Sequence, residues 1–262
     1  MRIFDTHCHL QDERIFAKAG EYIARAREAG VVRMLCCGTR ESDWEAVKTL
    51  SARYPEVIPA FGLHPWFAVE RTDAWLEKLE AILTEVPAAA VGEIGLDHAF
   101  DERNDKDQAM VFTAQLKLAL KLNRPVSMHC RKAWGLMMDI LEKRNGTPDR
   151  GVVHAYSGSP DLVPRLEALN VSISFSGSIT YDRNRRGRAS LAAATERFLL
   201  AETDAPDIPP AGVAPEANEP AQCAVIVQKM AELRGTTPDR MGEITFGNAA
   251  RIFTTDDRAT PA

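Results

Sequence analysis

The chain has 262 residues, 45% of them hydrophobic and 26% charged, which excludes disordered and fibrous classes and is enough to bury one barrel-sized core or two ordinary ones. A formal net charge of −5 excludes broad, non-specific binding to polyanions, which needs a surplus of Lys and Arg on one face. No apolar run approaches the roughly 18 residues that span a bilayer, and Met1-Arg-Ile-Phe4 opens without a signal-like apolar segment, so a cytoplasmic protein with no membrane partner is expected.

Short β-branched or apolar runs near 2–7, 31–37, 57–62, 89–93, 125–129, 151–154, 171–175 and 198–202 alternate with amphipathic runs near 13–29, 42–53, 73–85, 105–122, 133–144, 160–169, 187–195 and 219–234. Gln115, Leu116, Leu118, Ala119 and Leu122 carry the i, i+3, i+4, i+7 spacing of a helix face. Gly30, Asn123 with Pro125, and Gly146 with Pro148 stand where helices should stop. Eight such βα units predict an α/β fold, a TIM-like (β/α)8 barrel, as a single domain over residues 1–254 with 255–262 a flexible C-terminal tail. Residues 205–220 hold five prolines in a long irregular loop, the kind usually kept for a functional reason. Five cysteines, an odd number that includes the adjacent Cys36 and Cys37 in an apolar run, read as reduced core residues and not as a disulfide framework.

The strand-like runs end in side chains that bind divalent cations, at the strand C-termini where barrel enzymes place their chemistry. His7 and His9 are two apart, so in extended backbone both imidazoles project to one side while Cys8 points away. Glu93 ends an apolar run, where an ionised carboxylate needs a nearby cation; Gly92 and Gly95 beside it leave room for a bulky centre to approach the backbone. His129 and His154 end successive strands and each offers one nitrogen. Asp204 supplies a second carboxylate, placed both to bind an ion and to take a proton from bound water. His64 falls on the same rim, as a ligand or as a substrate contact, whereas His98 sits in a charged turn and gets no metal role.

In order along the chain, Asp5-Thr-His-Cys-His-Leu10, Gly62-Leu-His-Pro65, Gly92-Glu-Ile-Gly-Leu-Asp97, Pro125-Val-Ser-Met-His-Cys-Arg131, Val153-His-Ala-Tyr-Ser-Gly158, Glu202-Thr-Asp-Ala-Pro206, Asn218-Glu-Pro220 and Gly247-Asn-Ala-Ala-Arg-Ile-Phe253 resemble the TatD-type metal-dependent hydrolases, a branch of the amidohydrolase-like barrels. The resemblance implies two divalent ions, zinc, manganese or magnesium, with His7, His9 and Asp204 on one, His129 and His154 on the other, and Glu93 bridging. It implies hydrolysis of ester bonds by metal-activated water, with Asp204 and Glu93 catalytic and His64 and Arg131 contacting substrate. A 3′-to-5′ exonuclease-like deoxyribonuclease acting on single-stranded DNA ends is the leading expectation, with no obligate protein partner. The alternative is a carboxylic-ester or amide hydrolase, such as a D-aminoacyl-tRNA deacylase, because the same water attacks carbonyl carbon. Arg183, Arg185, Arg186 and Arg188, in the loop after strand seven, are candidates for holding the strand.

Overall fold

A computed structural model describes residues 1–99, 104–143 and 150–254. Eight strands, β1 (Ile3–Cys8), β2 (Val31–Cys37), β3 (Val57–Phe61), β4 (Ala90–Asp97), β5 (Val126–Arg131), β6 (Gly151–Val153), β7 (Val171–Phe175) and β8 (Leu199–Ala201), pair in parallel in sequence order. Helices α1 (Ala19–Glu28), α2 (Trp44–Arg53), α3 (Trp75–Glu85), α4 (Asp105–Lys121), α5 (Trp134–Lys143), α6 (Val163–Ala168), α7 (Arg185–Ala193) and α8 (Cys223–Arg234) follow the strands in turn. The expected (β/α)8 barrel is the observed one.

Closure runs through β1 and the segment beyond β8. The Asp204 N–H donates to His7 O at 2.9 Å, the His9 N–H to Ala205 O at 2.7 Å, and Thr6 Oγ1 to Ala201 O at 3.1 Å. Asp5 reinforces this seam, since its two oxygens accept from Thr203 N at 2.9 Å and Thr203 Oγ1 at 2.6 Å. First and last strands are thereby joined at the end where the candidate ligands lie.

The barrel interior is graded. Its lower layer is apolar, with Phe4, Leu35, Ala60, Ala90, Val152 and Leu200 all buried in one cluster, the small residues of β3 and β4 leaving room for the phenyl ring. Above it His7, Ser127, Ser174 and Glu202 are fully or almost fully buried. A second apolar core fills the space between strands and helices, and there Cys8 packs away from its flanking histidines. All five cysteines are free and buried.

Three expectations are adjusted. The fourth strand, expected to end at 93, continues to Asp97 through a register shift between Val91 and Ile94. The space at the neighbouring glycines belongs to β5 and not to the functional centre: a Cβ on Gly95, at φ +155°, would lie 2.0 Å from His129 O, and one on Gly92 2.9 Å from Ser127 Cβ. A ninth helix, α9 (Pro238–Phe253), was not expected. Its start was readable, since Thr237 accepts from Arg240 N with Pro238 in the first turn, and Met241, Ile244, Thr245, Ala249 and Ile252 form its buried face. That helix closes the bottom of the barrel, its Phe253 ring 6.0 Å from Phe4. The stop expected at Gly146 and Pro148 and the tail expected over 255–262 lie outside the described residues. Among the described residues no helix is long and apolar enough to cross a membrane.

Truncating Phe253 to Ala removes the ring that seals the lower layer and is expected to cost about 3–5 kcal/mol of unfolding free energy, measured by denaturant titration. A loss below about 1 kcal/mol would show that α9 does not close this core.

Candidate active site

The candidate ligands lie in or just beyond β1, β4, β5, β6 and β8, and Glu93, inside β4 and only 3% exposed, is the point on which they converge. Its Oε2 lies 3.5 Å from His7 Nε2 and 3.4 Å from His9 Nε2. Its Oε1 lies 3.0 Å from His129 Nδ1 and 2.7 Å from His154 Nε2. Asp204 Oδ1 completes the first group, 3.3 Å from His9 Nε2 and 3.7 Å from His7 Nε2. Asp204 holds φ +55°, a left-handed conformation that Asp tolerates better than most residues, and this turns its carboxylate toward β1.

Hydrogen bonds on the far side of the rings determine which nitrogen is bare. The His9 Nδ1–H donates to Cys37 O at 2.8 Å, a pure acceptor, so the bare nitrogen is Nε2. The His129 Nε2–H donates to Asp97 Oδ2 at 3.1 Å, so the bare nitrogen is Nδ1. His7 Nδ1 stands 3.0 Å from Ser127 Oγ, and His154 Nδ1 faces Glu202 Oε1 at 3.4 Å. The ring nitrogens on the Glu93 side approach each other closely, at 3.2 Å between His7 Nε2 and His9 Nε2 and 3.3 Å between His129 Nδ1 and His154 Nε2. Two bare nitrogens repel at such distances unless a cation or a proton sits between them.

His64 differs in this respect. It too is buried, with Nε2 3.4 Å from Glu93 Oε1, but its Nδ1 accepts the backbone N–H of Trp66 at 3.1 Å. A neutral ring that accepts at Nδ1 carries its proton on Nε2, so the nitrogen facing Glu93 is a donor. Proximity groups His64 with Glu93 and His129; proton position separates it from the metal donors. His7, His154 and Glu202 also come together, but Glu202 already accepts from Ala155 N at 2.8 Å and from Ser174 Oγ, and its contact with His154 is the 3.4 Å approach to Nδ1.

The electrostatics describe a centre short of positive charge. Burial alone would depress His9, yet the carboxylates of Asp204 and Glu93 facing its Nε2 lift it to about 10, so without a cation that nitrogen takes up a proton. Burial likewise opposes protonation of His129 and His154, and the acceptors Asp97, Glu93 and Glu202 raise both. For Glu93, burial pushes upward, and the surrounding imidazoles, His129 and His154 by hydrogen bonds, hold it well below the usual carboxylate range. Away from the best-placed carboxylates burial dominates, bringing His7 to about 4 and His64 to about 3. Protons thus gather where divalent cations would serve the carboxylates as well, and the mixture of imidazole and carboxylate donors fits zinc and harder ions alike.

A cleft of about 850 Å³ opens over this cluster, lined in part by His9, His64, Trp66, Arg131, Asp204 and Ile208. Arg131 has a half-exposed guanidinium, its Nη1 4.0 Å from Asp97 Oδ2. Trp66, 48% exposed, donates its indole N–H to Asp97 Oδ2 at 2.9 Å. Asp97, Glu202 and Asp5 were missed as positioning groups; each is a carboxylate within a quoted motif, but its orienting role depends on a partner from another strand.

Residues 4–254 match the family model described as TatD related DNase. The chain belongs to this family. An uncharacterized metal-dependent hydrolase of Escherichia coli (strain K12), YjjV, is 34% identical over 254 residues, covering 96% of this chain and 98% of its own. The 3′-5′ ssDNA/RNA exonuclease TatD of Yersinia pseudotuberculosis is 34% identical over 259 residues, covering 96% and 99%. The crystal structure of the Escherichia coli YjjV protein, a TatD homolog, superposes with a TM-score of 0.93 at 33% identity, covering 97% of this chain and 99% of that one. A TatD family hydrolase from Entamoeba histolytica, at 19% identity and a TM-score of 0.86, shares the fold.

Asp97 holds both His129 Nε2 and the Trp66 indole, so Asp97→Asn is expected to weaken metal binding about 10–100-fold, read by competition with a chelator. Affinity within twofold of the unaltered protein would remove Asp97 from that role.

Proposed function

We propose that this TatD-family chain is a two-metal phosphodiesterase that releases nucleotides from the 3′ end of single-stranded nucleic acid. One ion would be held by His7 Nε2, His9 Nε2, Asp204 and Glu93 Oε2, and the other by His129 Nδ1, His154 Nε2 and Glu93 Oε1. The observation that carries the two-ion reading is the division of Glu93, whose oxygens face separate pairs of imidazole nitrogens at 2.7–3.5 Å. The polarity of digestion and the nucleic-acid substrate rest on the relatives named as 3′-5′ ssDNA/RNA exonucleases. Free, buried cysteines agree with a reducing compartment such as the cytoplasm.

When bound, the ions supply Lewis acidity, acidifying water and stabilising negative charge on phosphoryl oxygens. The protein supplies the remaining parts. Asp204 borders the cleft and accepts the proton of the attacking water, then returns it to the leaving oxygen. Arg131 presents its guanidinium at the cleft wall to two oxygens of one phosphate. His64 points a donor at Glu93, which keeps that carboxylate in its bridging orientation. With its N–H held by Asp97, the exposed indole of Trp66 offers a face on which the terminal base stacks.

The test uses metal-stripped protein with magnesium, manganese or zinc restored, on single-stranded DNA labelled at its 3′ nucleotide. Release is expected with at least one ion, and Asp204→Asn should reduce it at least about a hundredfold. In calorimetric titration, Glu93→Gln is expected to bind fewer than two ions. Absence of release with every ion, from protein that binds two of them, would overturn the nuclease reading. For Trp66→Ala, KM should rise for the oligonucleotide by about 5–150-fold, the equivalent of about 1–3 kcal/mol of stacking, with kcat changed less; an unchanged KM would remove the stacking role.

A further inference from the structure

A second groove adjoins the catalytic cleft. It measures about 580 Å³ and is lined by the turn after His154, the turn after β7, the start of α7 and the loop beyond β8, with Ile208 a wall of both groove and cleft. Its floor and rim include Ser178, Tyr181, Arg183, Asn184 and Arg186.

The charge pattern here departs from that of its surroundings. Arg188 is paired with Asp182 at 2.6 Å and Arg14 with Asp207 at 2.8 Å, so the nearby acids are already neutralised by other cations. Among the described residues no carboxylate comes within 4.0 Å of Arg183 or Arg186, nor does either guanidinium donate a hydrogen bond. Both are exposed, and Arg183 lies over the Tyr181 ring at 5.2 Å. In a chain of net charge −5, two unneutralised arginines beside an aromatic ring, in a groove that shares the Ile208 wall with the cleft, match a polyanion that carries bases.

The backbone is built to hold this shape. Asn184 accepts from Gly187 N at 2.9 Å and donates to Ser178 O at 3.0 Å, tying the start of α7 to the turn after β7. Gly177 lies under the opposite wall, where a Cβ would meet Ile208 O at 2.2 Å. Ile208 itself has φ +50°, costly for a β-branched residue; Asn218 holds the loop in place by donating to Thr203 O at 3.2 Å and to Asp207 O.

We propose that this groove is the subsite for the nucleotides on the 5′ side of the scissile bond, with Arg183 and Arg186 neutralising backbone phosphates, Tyr181 meeting a base and Ile208 marking the step between groove and cleft. The proposal rests on the nuclease reading: an enzyme that works from a 3′ end leaves only the 5′ portion of the strand to run out of the cleft.

The experiment compares the metal-loaded wild-type protein with the double variant Arg183→Gln/Arg186→Gln on a single-stranded decanucleotide and on a dinucleotide, across a range of salt concentrations. Expected are a roughly tenfold fall in the ratio of kcat/KM for the decanucleotide to that for the dinucleotide, and a salt dependence of log(kcat/KM) for the decanucleotide shallower by about 1.4, at about 0.7 per phosphate released from neutralisation. A control with the same charge loss at the closed end, Arg240→Gln/Arg251→Gln, is expected to leave both quantities as in the wild type. If wild type digests the decanucleotide and the groove variant retains its ratio and slope, the subsite is overturned and the nuclease reading stands. The subsite is overturned equally if the control variant loses as much as the groove variant. If wild type digests neither substrate with any ion, the nuclease reading falls and the subsite with it.

Discussion

Everything at the catalytic end of this barrel follows from one constraint, the placement of an ionised carboxylate, Glu93, where water scarcely reaches. A buried carboxylate costs several kcal/mol unless cations or donors compensate it. Five imidazoles surround this one, and the positions of their protons sort them. His9 and His129 present a nitrogen left bare by a far-side hydrogen bond, and His64 presents a donor. A divalent cation would satisfy such a cluster better than its own protons do.

The scaffold meets that requirement through closure. His7 and His9 come from the first strand and Asp204 from beyond the last, nearly two hundred residues apart in sequence, and they meet because β1 pairs with the segment after β8. Asp5, held by Thr203, fixes the register of that seam. At the other end α9 seals the apolar layer beneath. The polar layer thus rests on a rigid floor, and ring orientations are held by Cys37, Ser127, Asp97 and Glu202. Such outer contacts govern metal affinity nearly as much as the ligands do.

Around this centre the loops divide the substrate-facing surface. The cleft is walled in part by Arg131 and Trp66 and in part by Ile208, which also walls the arginine groove. Local charge, and not the net charge of −5, governs what such a face attracts.

Read alone, the sequence determined the alternation of strands and helices, the placement of His7, His9, Glu93, His129, His154 and Asp204 in or next to strands, and the membership of the chain in a metal-dependent hydrolase family. These are legible because strand and helix periods and cation-binding side chains are local properties of the chain. The ninth helix was overlooked although Thr237 and Pro238 announce its start, because a helix that plugs a barrel floor adds nothing to the repeating βα pattern. The rest was decided only by tertiary structure. Gly92 and Gly95 make way for a neighbouring strand; Asp97 and Asp5 hold groups delivered by other segments; His64 is a donor because the Trp66 N–H occupies its Nδ1; and Arg183 and Arg186 meet no carboxylate among the described residues, Asp182 and Asp207 being engaged by other cations. Which nitrogen bears a proton and which arginine lacks a partner depend on atoms brought together from distant parts of the chain, and sequence spacing carries no record of those distances.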